Sequence, residues 1–488
     1  MLYSFYDAQM TQTSSPLNLR NLFNAQHTAS RQHIDVPLEL RRNRLLRMKA
    51  LIDNHGTALA QAVQTDFGVR SVQLTEIADL LVLRTLLSHT LKNLHKWMKP
   101  QKVSTPLYLQ PASGYLQRQP LGLVGVISPW NYPVPLALGP VITALAAGNR
   151  VMLKPSELTP ATSALLAELI GKAFAPEEVC VVLGDGAVAA EFSGLPFDHL
   201  FFTGSTAVGR MVAKAAAANL TPTTLELGGK SPCIVDASCD LNAAAIKIAH
   251  GKLLNAGQTC IAPDYVLVPK GNEAAFSHAF TQAVAKLFPT IAGNPDYAAI
   301  ISERHHERLR AMLAAAEQGG AKLQVINTGG ENQAAQSTPS AHRQMLPVLA
   351  FGVPADAQLM QEEIFGPILP VVPYESLGEA IDYINARPRP LALYWFGTNS
   401  ATRDQVLAQT VSGGVTINDT LMHIAHENLP FGGIGDSGWG SYHGEAGFLR
   451  LSMQKPVLVQ SKWARSDLFY PPYGKRFDQV MGLLKRWL

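Results

Sequence analysis

The sequence predicts an α/β protein built on two largely parallel sheets, and two observations support this fold class. Apolar residues make up 47% of the 488 residues and charged residues only 16%. Since about 25% charged residues is usual, the chain has a large interior. From Leu121 onward, short apolar runs alternate with alanine-rich stretches of helical periodicity. Continuous apolar strands joined through helices are typical of parallel sheets that are covered on both faces.

The first hundred residues are predicted to be helical. Apolar residues recur at helical spacing in two stretches, at Leu38, Leu45, Met48 and Ile52 and then at Ile77, Leu80, Leu81 and Leu87. The second stretch runs from Val72 to Trp97, and Pro100 ends it.

Two series of strands follow. The first contains LGLVGVI, NRVMLKP, VCVVLG and HLFFTG and predicts a Rossmann-like parallel sheet. The second contains SPCIVD, YVLVP, PVLAF and ILPVVPY and predicts a second parallel sheet. The polar segment from Gly319 to Gln344 is expected to be exposed. The tail, residues 470–488, ends in a basic amphipathic segment that is too short to cross a membrane.

Residues 119–149 are uncharged and long enough to span a bilayer. Four prolines interrupt the stretch, and Trp130 and Asn131 place polar groups inside it. We therefore predict a buried strand, loop and helix here, and no transmembrane segment.

Charge and cysteine content exclude several classes of protein. The 40 Lys and Arg residues exceed the 37 Asp and Glu residues by a net charge of +3, which argues against nucleic acid as a partner. The four cysteines form no CxxC pair, so neither a disulfide framework nor a metal site is indicated. The N-terminus has Asp7 and polar residues where a signal peptide would be basic and then apolar. These features predict a cytoplasmic protein.

Three residues are candidates for catalysis. Cys260, in NAGQTCIAP, follows a polar turn after a helix, where main-chain N–H groups can stabilise a thiolate. Glu226 ends an apolar strand before Gly228 and Gly229, which allow close approach of another group, and a partly desolvated carboxylate suits a general base. Asn131, between prolines in SPWNYP, is held where its amide can donate to an anionic oxygen. Plainer interpretations are a buried apolar cysteine, a solvated acid and a turn residue.

Candidate cofactor residues lie in the first strand series. GDGAVA fits the dinucleotide fingerprint, but no acidic residue closes the next strand, so we interpret it as a turn. In GSTAVG, Gly204 and Ser205 open a helix whose N–H groups can meet a pyrophosphate, although an ordinary serine N-cap explains the pattern almost equally well. Lys154 and Glu157, in LKPSE, end a strand within reach of ribose hydroxyls, or form a solvated helix entry.

Together the motifs resemble those of the aldehyde dehydrogenase superfamily. SPWNYP, LKPSE, FTGSTAVG, LELGGKSP, NAGQTC, EEIFGP and LPFGGIGDSG stand in that family's order from about Leu121 to Gly438. QTCIAPDY, LMHIAHENLPFGG and SGWGSYHG are most similar to its class 3 and coniferyl-aldehyde branch. The resemblance implies NAD(P)-dependent oxidation of an aldehyde, aromatic or otherwise hydrophobic, to the carboxylic acid.

The resemblance also implies a role for each matching residue. Cys260 would be the nucleophile, Asn131 and the Cys260 backbone N–H would hold the oxyanion, and Glu226 would activate the water that hydrolyses a thioester. Because a free thiol is only a few per cent ionised at neutral pH, either the loop lowers the thiol pKa or a base assists. Glu363 and Phe365 of EEIFGP would hold the nicotinamide ribose and flank the ring.

The remaining cofactor residues follow in the same way. Lys154 and Glu157 would hold the adenosine ribose, with Gly204 and Ser205 near the pyrophosphate. Glu157 would repel a ribose phosphate, so NAD is the expected cofactor and NADP a possible one.

The implied domains are an NAD(P)-binding domain (1–102 and 119–227), a catalytic domain (228–430), an oligomerisation arm with a return to the cofactor domain (103–118 and 431–465) and a C-terminal tail (466–488). A lone β extension around residues 103–118 needs a partner sheet, which predicts a homodimer.

Three alternatives stay open on the residues alone. One is a hydrolase that forms a thioester without hydride transfer, with His250, His423 or His426 as its base. Another is an inert dinucleotide-binding structural protein. The third releases the thioester to coenzyme A, which Glu226 as a water activator disfavours.

Overall fold

The computed structural model describes residues 16–329 and 343–487. The helices in these residues are α1 (Pro16–Gln32), α2 (Leu38–Phe67), α3 (Val72–Thr75), α4 (Leu81–Met98), α5 (Pro135–Ala146), α6 (Pro160–Ala173), α7 (Gly186–Ser193), α8 (Thr206–Ala217), α9 (Leu241–Leu253), α10 (Glu273–Leu287), α11 (Glu303–Gln318), α12 (Gln358–Gln361), α13 (Leu377–Asn385), α14 (Ser400–Gln409), α15 (Gly444–Arg450) and α16 (Lys475–Trp487). The N-terminal segment with Asp7 lies outside the described residues.

The strands fall into three sheets. They are β1 (Gln101–Val103), β2 (Ser113–Pro120), β3 (Leu123–Ile127), β4 (Arg150–Lys154), β5 (Val179–Val181), β6 (His199–Thr203), β7 (Thr223–Glu226), β8 (Pro232–Val235), β9 (Tyr265–Pro269), β10 (Lys322–Val325), β11 (Val348–Phe351), β12 (Ile368–Tyr374), β13 (Ala392–Phe396), β14 (Gly414–Ile417), β15 (Gly438–Trp439) and β16 (Ser452–Val459).

The first sheet has six strands in the order β15-β7-β6-β3-β4-β5. Strands β3 to β7 are parallel, and the short β15 pairs antiparallel with β7. Strands β3, β4, β6 and β7 are buried along their whole length, as expected where helices cover both faces. The predicted α/β class with a Rossmann-like sheet is confirmed.

The strand order of this sheet reverses at its centre. The chain builds outward from β3 through β4 to β5, and then returns to β6 on the other side of β3 and continues to β7. In open α/β sheets, ligands bind outside the carboxyl ends of the strands at this point of reversal. The loop 128–134 after β3 and the start of α8 after β6 meet there.

The second sheet has seven strands in the order β10-β11-β12-β9-β8-β13-β14, and all pairs except β10 with β11 are parallel. Residues 227–231 lead from the end of β7 directly into β8. The carboxyl edge of the first sheet is therefore joined to the amino edge of the second. The loops that precede β9 and β12 lie at that same amino edge.

The third sheet is antiparallel, in the order β1-β2-β16. Strands β2 and β16 pair along their full length. Val103, Leu458 and Val459 are roughly half exposed on it, so this sheet presents apolar residues at the surface.

The helix predicted from Val72 to Trp97 is wrong in detail. A π-helical turn, Glu76–Leu80, separates α3 from α4. This wider turn rotates the following side chains relative to regular helical spacing. Leu80 is buried as predicted, whereas Ile77 is 65% exposed.

The expectation that the segment from Gly319 to Gln344 is exposed holds for Gly319, Gly320 and Lys322 but is wrong for several other described residues. The segment contains β10, which pairs with β11, and buries Ala321 and Ile326. The strand itself is only partly buried, whereas the apolar residues on either side of it pack into the core, and the polar composition of the segment conceals them. Residues 330–342 lie outside the described residues.

Residues 119–149 form β3, a loop and α5, as predicted. Throughout residues 16–329 and 343–487, we find no helix with the length and apolar character needed to cross a membrane.

Candidate active site

Cys260 lies on a loop with an unusual backbone conformation. A 3-10 turn, Leu254–Gly257, follows α9. Within it, Asn255 (φ 52°), Ala256 (φ 53°) and Gly257 (φ 78°) are left-handed. The left-handed conformation costs a residue other than glycine about 1–2 kcal/mol, so surrounding contacts must stabilise this turn.

Gln258 supplies those contacts. Its buried side chain donates from Nε2 to the carbonyl oxygens of Asn255 (2.9 Å) and Ala299 (3.0 Å). Its Oε1 accepts from the Ile301 N–H at 2.9 Å. Both ends of the side-chain amide are thus used to fix the turn.

The loop after β3 is hydrogen-bonded to the Cys260 loop. Asn131, which is buried, donates from Nδ2 to the Gln258 carbonyl oxygen at 3.1 Å, and its own carbonyl accepts from Asn255 Nδ2 at 2.9 Å. The hydroxyls of Tyr132 and Thr259 share a hydrogen bond of 2.7 Å. Because an amide nitrogen carries two hydrogens, the Asn131 side chain keeps one N–H for a ligand.

A buried ion pair supports the Asn131 loop. Arg70 donates from Nη1 to the Asn131 carbonyl oxygen (2.9 Å) and from Nη2 to Asp79 Oδ2 (2.6 Å). Its guanidinium lies 5.0 Å from the ring centres of Phe67 and Tyr132. Burial raises the pKa of Asp79 to about 6, although Arg70 acts in the opposite direction. Loss of one partner of such a buried pair lowers the free energy of unfolding by about 3–5 kcal/mol. This pair is therefore a main determinant of the position of the Asn131 loop.

The surroundings of Cys260 favour the thiol over the thiolate. The backbone N–H groups of Cys260 and Ile261 favour the thiolate, as the sequence predicts. Burial, followed by the charges of Glu363 and Glu226, outweighs them and raises the pKa of the thiol to about 12. The expectation that the loop lowers the thiol pKa is therefore wrong, because the site is desolvated and acidic. The other expectation, that a base assists, remains.

Glu226 ends β7 with only 3% of its surface exposed, so it is not a solvated strand-end acid. Neither of its carboxyl oxygens has a hydrogen-bond partner in the described part of the chain. Burial raises the pKa of this carboxyl well above its usual range. A buried acid beside a thiol, with both oxygens free, can accept a proton during a reaction.

Glu363 lies against the two glycines that follow Glu226. A Cβ atom at Gly228 would be 1.9 Å from Glu363 Oε2, and the Gly229 N–H donates to the Glu363 carboxylate. The prediction that these glycines allow close approach is confirmed. Burial and the charge of Asp264 raise the pKa of Glu363 to about 8.

Phe365 continues the EEIFGP loop with a φ of 53°, which is rare for a bulky residue and is often found at functional sites. Its ring meets Trp130 edge-on, with 5.4 Å between ring centres. Gly366 packs against the Cys260 loop, since a Cβ at Gly257 would be 2.4 Å from the Gly366 carbonyl oxygen. Trp130 and Phe365 thus link loops from both large sheets.

Lys230 and Asp264 hold the EEIFGP loop in place. Lys230 Nζ lies 2.5 Å from Asp264 Oδ2 and donates to the carbonyl oxygens of Leu359 (2.9 Å) and Glu362 (3.0 Å). The Ile364 N–H donates to Asp264 Oδ1 at 3.1 Å. Both charged side chains are buried.

Lys154 and Glu157 lie at the carboxyl edge of the first sheet, as predicted. Lys154 ends β4 and is buried, whereas the Glu157 side chain is 47% exposed. Lys154 Nζ donates to the Pro155 carbonyl oxygen at 2.9 Å and lies 3.3 Å from Glu157 Oε2. Burial lowers the pKa of Lys154. A held ammonium with a neighbouring carboxylate fits the hydroxyls of a ribose.

Gly204 and Ser205 join β6 to α8 beside the point of strand reversal. Ser205 Oγ caps α8 by accepting a backbone N–H of its first turn at 3.4 Å. The positive end of α8 fits a pyrophosphate. GDGAVA instead begins α7, where Asp185 Oδ1 accepts from the N–H groups of Ala187 (3.0 Å) and Val188 (3.3 Å). A carboxylate covers that helix end, so GDGAVA is a capped helix start rather than the predicted turn.

The histidines considered for a hydrolase have other surroundings. His250 and His426 are exposed. His423 shares a 2.8 Å hydrogen bond with Thr416 Oγ1 and stacks on Phe431, and burial lowers its pKa to about 4. The groups whose charges act on the thiol are the carboxyls of Glu363 and Glu226.

Sequence reasoning missed the residues that hold the site together. Asn255 and Gln258 stand inside the NAGQTC motif, where two amides beside a glycine were an available signal. Arg70 lies in the helical N-terminal region, and nothing in its neighbourhood of the sequence marks it.

The comparisons with known proteins agree with this geometry. A profile of the Aldehyde dehydrogenase family matches residues 10–457. The chain is 46% identical over 478 residues to a probable coniferyl aldehyde dehydrogenase of Pseudomonas aeruginosa, covering 97% of this chain and 98% of the relative. It is 38% identical over 466 residues to the 4,4'-diaponeurosporen-aldehyde dehydrogenase of Staphylococcus aureus, covering 95% and 97%.

Solved structures give the same result. The substrate-bound state of Staphylococcus aureus AldH matches with a TM-score of 0.86 and 36% identity, over 96% of this chain and 99% of that one. The indole-3-acetaldehyde dehydrogenase AldA of P. syringae, in complex with NAD+, matches with a TM-score of 0.81 and 25% identity, over 91% and 89%.

The chain belongs to the aldehyde dehydrogenase family. It is an NAD(P)-dependent enzyme that oxidises an aldehyde to a carboxylic acid, as the sequence motifs predict.

Glu226→Gln is expected to change the pH dependence of stability. Because burial raises its pKa, Glu226 in the folded chain keeps a proton that the unfolded chain releases. From about pH 4.5 to the folded pKa, the wild type should therefore lose about 1.4 kcal/mol of unfolding free energy per pH unit relative to the variant. Urea midpoints between about pH 5 and 8 measure the difference.

Glu317→Gln, at an exposed position of α11, is the control and should keep the wild-type slope. Equal pH slopes for wild type and Glu226→Gln would contradict a buried Glu226 that retains its proton.

Proposed function

We propose that Cys260 is the nucleophile of this dehydrogenase and that Glu226 is its general base. The observation that carries the proposal is the hydrogen bond from Asn131 to Gln258, which joins the loop after β3 to the loop that presents Cys260. The carboxyls of Glu226 and Glu363 lie close enough to act on the thiol. A nucleophile, an acid and an amide donor therefore share one desolvated site.

The first step is attack of the Cys260 sulfur on the aldehyde carbonyl. Because the thiol pKa is raised, a base must take the proton. Burial also raises the pKa of Glu226, so Glu226 performs this task only in its ionised form, whose fraction increases with pH. As the S–C bond forms, the carbonyl π electrons move to oxygen. The remaining Asn131 N–H and the Cys260 backbone N–H are the donors for this oxyanion, and one such donor contributes about 3–4 kcal/mol where measured.

Bound NAD(P) supplies the hydride acceptor, through which the adduct on Cys260 becomes a thioester. Hydrolysis then depends on Glu226, which first releases its earlier proton to solvent. It takes a proton from water while the hydroxyl adds to the thioester carbonyl. The C–S bond breaks, the carboxylic acid leaves, and the Cys260 sulfur takes the proton that Glu226 holds, so that both side chains return to their starting forms.

The cofactor residues are proposed to act in two groups. Lys154 and Glu157 hold the adenosine ribose, and Gly204 and Ser205 lie beside the pyrophosphate. The half-exposed Glu157 carboxylate repels a ribose phosphate, so we propose a preference for NAD over NADP.

Glu363 and Phe365 are proposed to hold the nicotinamide side of the cofactor. The Glu363 carboxylate accepts from the Gly229 N–H and is an acceptor for ribose hydroxyls. The unusual backbone of Phe365 turns its ring toward Trp130, so the two rings restrict the space beside the site.

The proposed substrate is an aromatic or otherwise hydrophobic aldehyde of the coniferyl type. Two relatives are named coniferyl aldehyde dehydrogenase or a probable one. Aromatic rings also lie near the site: Tyr442, whose pKa is raised by burial and by Glu226 and Cys260 among others, packs edge-on against Phe431. Rings of this kind favour a large apolar ligand.

We further propose a cytoplasmic homodimer with the domain boundaries that the sequence predicts. The sheet β1-β2-β16 leaves its outer strands unpaired in one chain, and exposes Val103, Leu458 and Val459. A second copy of the chain would cover these strands and residues.

Asn131→Ala is expected to lower kcat by about 10²–10³-fold, because it removes one oxyanion donor. Cys260→Ala is expected to abolish NADH formation. Initial rates followed by NADH absorbance test both. Asn242→Ala, at an exposed position of α9, should keep the wild-type rate. A Cys260→Ala protein that remains active would overturn the proposed chemistry.

A panel of aldehydes tests the proposed substrate class. Coniferyl aldehyde is expected to exceed acetaldehyde and betaine aldehyde in kcat/KM by at least about tenfold, since burial of the larger apolar group favours it. The proposal fails if either small or cationic aldehyde gives the highest value.

A further inference from the structure

A buried lysine that the proposed chemistry does not use lies behind the Glu363 loop. Lys252, in the last turn of α9, is 1% exposed. Its Nζ has no hydrogen-bond partner among residues 16–329 and 343–487. The nearest carboxylate oxygen, Asp264 Oδ1, is 4.0 Å away. An unpaired buried ammonium is costly, so its presence needs a physical reason.

Asp264 does not provide that reason by itself. Its Oδ2 is paired with Lys230 at 2.5 Å, and its Oδ1 accepts from the Ile364 N–H at 3.1 Å. The ammonium groups of Lys230 and Lys252 therefore lie near one carboxylate, that of Asp264, whose two oxygens already have hydrogen-bond partners. Together, Lys230, Lys252 and Asp264 have a net charge of +1 unless a further acid ionises beside them.

Glu363 is the further acid. Its charge acts on Lys252 and raises the lysine pKa, which burial lowers to about 8. The backbone also brings the two segments together at Gly257, because a Cβ there would lie 2.9 Å from the Lys252 carbonyl oxygen and 2.4 Å from that of Gly366. With Glu363 ionised, the four buried groups sum to zero charge.

We propose that Lys252 is a positioning residue that supplies the counter-charge for Glu363, so that this carboxylate is ionised when the nicotinamide ribose binds. This inference rests on the proposed role of Glu363 in holding that ribose. It assigns Lys252 no contact with substrate or cofactor.

The other charges around Glu363 stay in place when Lys252 is changed. Arg308 donates to the Glu363 carbonyl oxygen at 3.4 Å and lowers the carboxyl pKa, as Lys230 does. Asp264 raises it, and Cys260 is a further titratable neighbour. Glu226 is also near the thiol. Replacing Lys252 removes one cation and leaves the rest, so we expect the pKa of Glu363 to rise.

The test is the pH dependence of NAD+ affinity in the full chain, measured by calorimetry between about pH 6.5 and 9.5. Affinity should increase with pH as Glu363 ionises. In Lys252→Met the midpoint of this increase should move to higher pH, because loss of a nearby opposite charge raises a carboxyl pKa. Lys252→Gln is the second variant, in case Lys252→Met does not fold.

Controls separate this inference from the proposed role of Glu363. Lys247→Met, at an exposed position of the same helix, should leave the midpoint unchanged. Glu363→Gln should weaken NAD+ binding and remove the pH dependence, and Lys252→Met should then add no shift. If Glu363→Gln leaves NAD+ affinity unchanged, the proposed function of Glu363 fails. If Glu363→Gln weakens binding but Lys252→Met and Lys252→Gln keep the wild-type midpoint, the counter-charge inference is overturned.

Discussion

The hydrogen bond between Asn131 and the Gln258 carbonyl is the contact on which the site depends. Asn131 follows β3 of the first sheet, and Gln258 precedes β9 of the second. The carboxyl edge of one sheet is thus joined to the amino edge of the other. Gln258 can present its carbonyl only while the left-handed turn before it is maintained. Its own side chain maintains that turn, so the catalytic loop and the sheet interface stabilise each other.

Burial dominates the electrostatics of the site. It is the largest cause of the raised pKa of Cys260, Glu226 and Glu363. All three acidic groups resist ionisation, and the carboxyls of Glu363 and Glu226 add to the cost of ionising the Cys260 thiol. The raised thiol pKa therefore favours a reaction that begins with proton transfer within the site. The buried lysines beside the Glu363 loop are the compensating positive charge.

Much of the architecture was predictable, because continuous apolar strands and alternating helices report directly on a covered parallel sheet. The positions of Glu226 at the end of a strand, and of Asn131 and Cys260 on loops beside strands, were predictable for the same reason. The ionisation state of Cys260 was not predictable, since the pKa of its thiol depends on carboxyls from other parts of the chain, those of Glu363 and Glu226. Arg70 was also out of reach of sequence reasoning. Its contact with Asn131 spans 61 residues, and no local pattern encodes a long-range ion pair. The π-helical turn before α4 likewise depends on packing, which overrides regular spacing.

The central claim is that Cys260 carries the acyl group and that Glu226 is needed to release it. Mass analysis of Glu226→Gln after a single turnover with aldehyde and NAD+ tests this claim most directly. We expect the chain to gain the mass of one acyl group, and the modified peptide to contain Cys260. An unmodified chain, or an acyl group on the partly accessible Cys239, would contradict the account.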